Sequence, residues 1–262
     1  MLRAVEAETT RRFIIGDVHG CTEELLSLLE LLEERYGEDG NHFLFVGDLV
    51  DRGPDSAGSV QLVMEGVRKG TFRCILGNHD EMLLQNLLLY RPDLVEAAGI
   101  DPTEQESLVR SYRAIPERVF KLWLSQGGSE TILSYGGKPK QPETWFIPAD
   151  HIRFIATLPL AIRDGEVVVT HAWAEAEAVE RALAHHADPW NISAESRMSL
   201  LWNRDRPARA PAGLHVSGHT ARREPLVTGG AIGIDTGCCF GNRLTAYNPE
   251  ENLFLQVSCP EF

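Results

Sequence analysis

The sequence FIIGDVHG at residues 13–20 combines an element of the fold with a candidate site. Its first three residues, Phe13-Ile14-Ile15, form a short apolar run that is typical of a buried strand. A glycine ends the run, and Asp17 and His19 follow it, so two side chains able to bind a metal lie where the strand ends. The leucines of the next segment, Thr22 to Arg35, recur at helical spacing and predict a helix.

The same order of strand, glycine and polar side chain returns twice. The predicted strand His42–Val46 leads into GDLVDRG at 47–53, and the predicted strand Phe72–Leu76 leads into GNHD at 77–80. Helices are predicted after these clusters, at Ser56–Lys69 and Asp80–Tyr90. This alternation predicts a parallel sheet with right-handed crossovers. Because ligands bind outside the carboxyl ends of such strands, the three clusters are expected to meet in one crevice.

The second half of the chain is predicted to be richer in strands. A hairpin is predicted from Leu160–Arg163 and Glu166–Thr170, with its turn at Asp164-Gly165. His171 follows the second strand of this hairpin, and His219 follows another strand-like run, so both resemble the residues of the first three clusters in position. Glu175–His185 is predicted to be helical. Further strands are predicted at Leu214–Ser217, Pro225–Thr228, Ala231–Ile234, Leu244–Tyr247 and Phe254–Val257.

The polar residues at the strand ends offer oxygen and imidazole donors and no thiolate. Such a mixed set suits Mn, Fe, Zn or Ni. Six donors are too many for one catalytic tetrahedral zinc, whereas they suit two ions that share a bridging carboxylate, about 3.5–4 Å apart. The candidate metal ligands are Asp17, His19, Asp48, Asn78, His171 and His219.

The composition of the chain excludes several classes of partner and several cellular locations. The 262 residues carry a formal net charge of −13, so binding to a nucleic-acid scaffold or to an anionic membrane is not expected. No apolar run reaches the roughly 20 residues that span a bilayer, and residues 1–10 lack the apolar core of a signal peptide. The five cysteines form no CxxC motif, which favours a reducing compartment. A cytoplasmic protein is expected, with Cys238-Cys239 in a structural role.

Taken in order, the three clusters resemble the signature of the phosphoprotein phosphatase (PPP) family of calcineurin-like metallophosphoesterases. The downstream segments THA at 170–172, LWNRD at 201–205, GHT at 218–220 and DTG at 235–237 resemble the bacterial and phage branch, which includes lambda phosphatase. The resemblance implies an α/β fold with a central β-sandwich flanked by helices. Residues 1–262 would form a single domain, and residues 91–141, with helices expected at 104–114 and 116–126, would be a helical insertion or cap.

The resemblance also divides the ligands between two divalent ions, with Mn²⁺ expected first and Zn²⁺, Fe²⁺ or Ni²⁺ as options. One ion would take Asp17, His19 and Asp48. The other would take Asp48, which bridges, together with Asn78, His171 and His219. In this family a hydroxide that bridges the two ions attacks phosphorus in line, without a covalent phosphoenzyme.

Further roles follow from the same resemblance. His79 would be the general acid for the leaving alkoxide, and Asp51 would orient its imidazole and favour its protonated form. Arg52 and Arg204 would grip the phosphoryl oxygens, with Arg206 able to replace Arg204. These arginines and the metal ions would create a positive pocket in an acidic protein.

Other residues in or near the motifs carry expectations of their own. Trp173 stands where a glycine is usual in the family, and it could stack on phosphotyrosine or on a nucleobase. Asp80 replaces a glutamate, which should affect only neighbouring packing. Asp235 is expected either near the site or in a buried turn. The pair Arg222 and Arg223 is expected at the rim of the pocket or in solvent.

The leading functional expectation is a metal-dependent phosphomonoesterase that acts on phosphoproteins at serine or threonine, with tyrosine as a further option. The alternative is a hydrolase of dinucleoside polyphosphates such as diadenosine tetraphosphate, because that branch has similar motifs. The expected partner is therefore a phosphoprotein or a phosphorylated small molecule or nucleotide. A phosphate-binding module without catalysis is the third reading, and the filled ligand positions speak against it.

Overall fold

Ten strands form two five-stranded sheets in the part of the chain that the computed structural model describes, residues 11–100, 115–185 and 189–262. In the first sheet, three parallel strands at one side continue into an antiparallel pair at the other. Its strand order is β10 (Leu253–Ser258), β9 (Arg243–Asn248), β1 (Arg11–Ile15), β2 (Asn41–Phe45) and β3 (Phe72–Cys74). The predicted parallel arrangement of the first three strands is confirmed.

The second sheet has a parallel centre and antiparallel edges. The predicted hairpin of β4 and β5 is confirmed, and β5, β6 and β8 pair in parallel, with Thr170 opposite Ser217 at their carboxyl ends. The strand order is β4 (Ala161–Asp164), β5 (Val167–Thr170), β6 (Leu214–Ser217), β8 (Ala231–Gly233) and β7 (Leu226–Thr228). The strand ends that precede His171 and His219 therefore lie side by side.

The two sheets pack face to face, as the family resemblance implies. Alternate residues of each strand point to opposite faces, so Ile14 and Leu44 of the first sheet meet Val169 and Val216 of the second in one apolar cluster. Phe13, like other residues on the outer face of its sheet, packs in a larger cluster with the helices. The α/β sandwich flanked by helices is thus confirmed.

Nine α-helices surround the sheets within the described residues. They are α1 (Thr22–Tyr36), α2 (Ser56–Lys69), α3 (Asn78–Tyr90), α4 (Pro92–Ala97), α5 (Pro116–Trp123), α6 (Ser129–Ser134), α7 (Ala149–Ala156), α8 (Ala176–Ala184) and α9 (Ala194–Trp202). A π-helical turn, Leu124–Gly128, joins α5 to α6, and a 3₁₀ turn spans Pro142–Thr144. No helix of the described residues has the length and apolar composition needed to cross a membrane.

The predicted helices agree with the structure at most positions, and the differences have local causes. The helix α3 begins at Asn78, two residues before the predicted start, because the Asp80 side chain accepts a hydrogen bond from the Gly77 N–H (3.0 Å) and caps the first turn. The expected helix at 104–114 lies outside the described residues. The helices α4, α6, α7 and α9 were not predicted.

Candidate metal centre

The loop after β1 carries Asp17 and His19 and packs backbone to backbone against the loop after β2. The Gly53 N–H donates to the His19 carbonyl (2.9 Å), and the Gly20 N–H donates to the Leu49 carbonyl (2.9 Å). A Cβ at Gly53 would lie 2.1 Å from the His19 carbonyl oxygen, so only glycine allows this approach. The two loops therefore hold their candidate ligands at a fixed separation.

Asp48 lies at the centre of the cluster. Its Oδ1 accepts from the backbone N–H of His79 (2.8 Å), while its Oδ2 lies 3.4 Å from the Nε2 atoms of both His19 and His171. Burial acts to raise the pKa of Asp48, but His171, His79 and His19 together lower it well below its usual range. Asp48 is therefore an anion between the two halves of the cluster, the position expected of a bridging ligand.

Asn78 and two histidines form the second half of the cluster. The Oδ1 of Asn78 lies 2.8 Å from His171 Nε2 and 2.8 Å from His219 Nδ1. Asp17 joins them from the first loop, because its Oδ2 accepts from the backbone N–H of His219 (3.0 Å). All six predicted ligands are at most 9% exposed.

The histidines are oriented as metal ligands usually are. The ring nitrogen Nδ1 of His19 lies 2.9 Å from the Val50 carbonyl, and that of His171 lies 2.8 Å from the Val46 carbonyl. Such second contacts fix the ring and direct Nε2 into the site, where that of His19 faces Arg52 (2.7 Å) and that of His171 faces Asn78 (2.8 Å). Donor atoms of Asp17, Asp48 and His171 all lie within 4.8 Å of one another.

The charge of the cluster also fits a cation. Burial acts to lower the pKa of His171, but Asp48 and Asp17 raise it to about 10, so the site stabilises a positive charge beside Nε2. Burial and the neighbouring Asp235 raise the pKa of Asp17 well above its usual range, so a charged Asp17 beside Asp48 and Asp235 calls for added positive charge. Divalent cations would meet that need, and the residues present fit them.

His79 and Asp51 form a buried pair beside the cluster. His79 Nδ1 lies 2.7 Å from Asp51 Oδ2, and the other ring nitrogen, Nε2, faces Arg52 at 2.9 Å. Burial lowers the pKa of His79 to about 4 and raises the pKa of Asp51 well above its usual value. The contact thus orients the imidazole as expected, but burial opposes its protonated form. A phosphoryl dianion beside Nε2 would favour protonation.

Two residues that sequence reasoning missed hold Asp51 in place. The Trp123 indole N–H donates to Asp51 Oδ2 (3.0 Å), and the Thr131 hydroxyl donates to Asp51 Oδ1 (2.6 Å). Thr131 Oγ1 also accepts from the Asp51 backbone N–H (2.9 Å). Both residues lie in the segment 91–141, on α5 and α6, so this segment supports the site directly. The glycines at 127–128 were the one local signal of close packing here.

The side chain of Arg52 contacts both a candidate metal ligand and the candidate general acid. Its guanidinium contacts His19 Nε2 (2.7 Å) and His79 Nε2 (2.9 Å), and its Cζ lies 5.1 Å from the centre of the Phe240 ring. Its backbone N–H donates to the Gly127 carbonyl (3.2 Å). A planar fork of N–H donors at this point is well placed for phosphoryl oxygens.

Arg204 and Arg206 are both exposed and line the same cavity of about 320 Å³, so the structure groups these two alternatives together. Trp173 lines the same cavity, as do Gly218 and Arg222. Gly218 brings this cavity to the metal centre, because a Cβ there would lie 1.9 Å from Asp17 Oδ1.

Asp80 and Asp235 have structural roles close to the cluster. The Asp80 carboxylate accepts three backbone N–H groups, from Asp48 (2.9 Å), Leu49 (2.9 Å) and Gly77 (3.0 Å), and so ties the second loop to the third. Asp235 satisfies both expectations for it. It accepts from the Gly237 N–H (3.0 Å) in a buried turn, and its charge acts on Asp17.

Comparison with known proteins identifies the family of the chain. The family described as calcineurin-like phosphoesterase matches residues 10–223, which is most of the chain. The chain belongs to the calcineurin-like phosphoesterase family. Members of this family are metallophosphoesterases that use divalent metals, so the coarser expectation of a metal-dependent phosphoester hydrolase is confirmed.

Curated relatives cover nearly the whole chain. One is the bis(5'-nucleosyl)-tetraphosphatase PrpE [asymmetrical] of Oceanobacillus iheyensis, which is 29% identical over 94% of this chain and 91% of the relative. The protein of the same name from Bacillus subtilis is 28% identical over 94% and 95%. The serine/threonine-protein phosphatase 1 of Salmonella typhimurium is 27% identical over 92% of this chain and 93% of that protein.

Solved structures share the fold. A putative diadenosine tetraphosphatase superimposes with a TM-score of 0.59 at 24% identity, over 96% of this chain and 94% of that chain. A serine/threonine phosphatase from Saccharomyces cerevisiae, with similarity to human phosphatase PP5, gives a TM-score of 0.57 at 14% identity, over 98% and 82%. These likenesses establish the architecture and leave the substrate to other observations.

Proposed function

We propose that this protein hydrolyses a phosphoanhydride bond of dinucleoside polyphosphates, with diadenosine tetraphosphate as the representative substrate. The tetraphosphatases among its relatives are named for this activity and support what was the alternative in the sequence analysis. The protein phosphatase expected first has the support of a weaker match.

The observation that carries the proposal is the cavity beside the metal centre. Trp173 is 8% exposed, and the exposed part of its ring lines this cavity, where a nucleobase can contact it. The same cavity is lined by Arg204, Arg206 and Arg222, which can bind phosphates of a polyanionic chain. A protein of net charge −13 concentrates three cations here, so the local field favours a substrate with several phosphates.

Different residues of the chain would have different roles in the reaction. The six candidate ligands, Asp17, His19, Asp48, Asn78, His171 and His219, would hold two divalent ions. When bound, such ions lower the pKa of a coordinated water and neutralise charge on phosphoryl oxygens.

Residues around the ligands would complete the reaction. Arg52 binds and orients the phosphoryl group under attack. Asp51 fixes the ring of His79 so that Nε2 lies beside Arg52. Once the bound phosphoryl group favours its protonation, Nε2 can give its proton to the leaving oxygen as the bond from phosphorus to that oxygen breaks. The oxygen of water ends on phosphorus, and both products leave as phosphates.

The test is a comparison of kcat/KM for diadenosine tetraphosphate and for a phosphoserine peptide, with Mn²⁺ supplied and with chelator as the metal-free control. Stacking of one base contributes about 1–3 kcal/mol, so we expect at least a roughly fivefold preference for the dinucleotide. Trp173→Leu should reduce that preference, whereas Trp173→Phe keeps an aromatic ring. A preference for the phosphopeptide would refute the proposal.

Serine/threonine phosphatase activity is the second candidate. The Salmonella relative named for it covers 92% of this chain and supports it. Under this reading the phosphopeptide is the better substrate, and Trp173→Leu lowers its turnover no more than that of p-nitrophenyl phosphate. The third reading, a phosphate-binding module without catalysis, requires that p-nitrophenyl phosphate is not hydrolysed with any of Mn²⁺, Zn²⁺, Ni²⁺ or Mg²⁺.

A further inference from the structure

A second groove beside the metal centre carries an exposed aromatic ring. Its volume is about 580 Å³, and its lining includes Phe240, Arg222 and Arg223, together with Arg243 and Glu224, which pair with each other (2.9 Å). We propose that Phe240 is a stacking platform for the second nucleobase of a dinucleoside polyphosphate, and that Arg222 binds the phosphate chain between the two bases. This inference rests on the proposed function and adds the recognition of the second nucleoside.

Phe240 is held by its backbone while its ring stays open to solvent. Its N–H donates to the Gly237 carbonyl (3.0 Å), and it forms an antiparallel bridge with Glu261. The residue is 58% exposed. A fixed backbone and a free ring face suit stacking, because little freedom is lost when a base binds.

The ring lies directly beside the candidate catalytic residues. The Arg52 guanidinium carbon is 5.1 Å from the ring centre, within cation–π distance, and the same guanidinium contacts His19 and His79. A base on Phe240 would therefore place its phosphates next to the group that binds the phosphoryl under attack.

Arg222 connects the two aromatic sites. It lines the cavity that contains Trp173 and also the groove that contains Phe240. Its backbone N–H donates to the Asp235 carbonyl (3.0 Å), which fixes this part of the chain next to the buried cluster. Arg222 thus lies between the two cavities, as binding to the middle of an extended anionic chain requires.

The chemistry of the two cavities matches the two ends of one class of substrate. A dinucleoside polyphosphate has an aromatic base at each end of a chain of phosphates. Each cavity offers one aromatic ring and several arginines, and both volumes fall in the range of small-molecule sites. A phosphopeptide or a mononucleotide would leave one ring unused.

The ring of Phe240 can be tested by comparing two substrates. The measurement is the ratio of KM for diadenosine tetraphosphate to KM for inorganic tripolyphosphate, which has no base. We expect Phe240→Leu to raise this ratio about tenfold, the loss of one stacked base, and Phe240→Tyr to keep it. Phe146→Leu is the matched control, because Phe146 is another exposed aromatic residue (69%) outside both cavities' linings.

The proposed contact between Arg222 and the phosphate chain is tested with a second variant. Arg222→Gln should raise KM for both substrates by a similar factor and weaken the dependence of KM on salt, since it removes a charge and no ring. Arg35→Gln, at an exposed position near the end of α1, is its control.

The outcomes separate the two proposals. If the wild-type enzyme hydrolyses diadenosine tetraphosphate and Phe240→Leu leaves the ratio unchanged, the platform is refuted and the proposed function stands. An equal rise of both KM values in Phe240→Leu would show that the ring acts only through Arg52 and would also refute it. If the wild-type enzyme does not hydrolyse the dinucleotide, the proposed function itself fails.

Discussion

Gly127→Ala is expected to lower kcat by about 10²-fold, although Gly127 contributes no side chain to the site. Gly127 has a φ of +106°, and its carbonyl accepts the backbone N–H of Arg52. A Cβ at this position would lie 2.4 Å from the Arg52 nitrogen and 2.8 Å from its Cα. Because ordinary contacts of a Cβ begin near 3.4 Å, the backbone of Arg52 would have to move by about 1 Å.

The substitution has two effects, a loss of stability and a loss of catalytic rate, and each has its own expected magnitude. The left-handed backbone costs any alanine about 1–2 kcal/mol, which lowers Tm by roughly 2–8 °C in a domain of this size. The displacement of Arg52 adds a loss of catalysis, because a misplacement of about 1 Å can cost about 10²-fold in rate. Gly136→Ala isolates the first effect, since Gly136 has a φ of +77° and its Cβ would meet no atom of the described residues within 4 Å.

The assay is kcat on p-nitrophenyl phosphate with saturating Mn²⁺, paired with thermal unfolding of the same preparations. We expect both alanine variants to lose stability and only Gly127→Ala to lose turnover by two orders of magnitude. Equal kcat values in the two variants, at equal metal content, would refute the argument that the 91–141 segment positions Arg52.

Other predictions concern neighbouring groups. Thr131→Val should lower kcat about tenfold, because a hydrogen bond to a carboxylate contributes about 1.5–3 kcal/mol and Asp51 loses one, whereas Thr131→Ser should restore the rate. Asp80→Ala should destabilise the fold by about 3 kcal/mol or more in denaturant unfolding, because three buried N–H groups lose their acceptor. Burial lowers the pKa of His215 to about 4 from an ordinary 6.5, so its contribution to stability is complete above pH 6.5 and is lost as pH falls towards 4. His215→Gln should flatten that dependence in thermal melts, and the exposed His42→Gln should leave it unchanged.

The convergence of the six candidate ligands could be predicted from the sequence because each of them follows a strand within a few residues. The apolar runs before Asp17, Asp48 and Asn78 fix three parallel strands, and the carboxyl ends of parallel strands meet at one edge. The residue types then limit the chemistry. No knowledge of the loops was needed to expect these side chains in one place.

The residues that hold Asp51 in place beside the cluster could not be predicted in the same way. Trp123 and Thr131 lie 72 and 80 residues from Asp51 in the sequence, and they reach it through the packing of two helices. Helical periodicity indicates which side chains are buried and does not identify the carboxylate they meet. The family resemblance placed Trp173, Arg204 or Arg206 and Arg222 near the cleft, but it did not show that they line one cavity, because that depends on how the loops between the strands fold.

The backbone conformation of the site links the structure of its loops to the positions of its functional side chains, so a change in one alters the other. Six non-glycine residues of the described chain have a positive φ, and five of them are predicted site residues: His19, Asp48, Asp51, Arg52 and His219. Each such residue costs about 1–2 kcal/mol, a strain that persists only where the surroundings enforce it. Here hydrogen bonds between loops enforce it, from Gly53 to His19 and from Asp48 to Asp80. Hydrogen bonds within the protein thus hold the loops in place, which is the preorganisation that electrostatic catalysis requires.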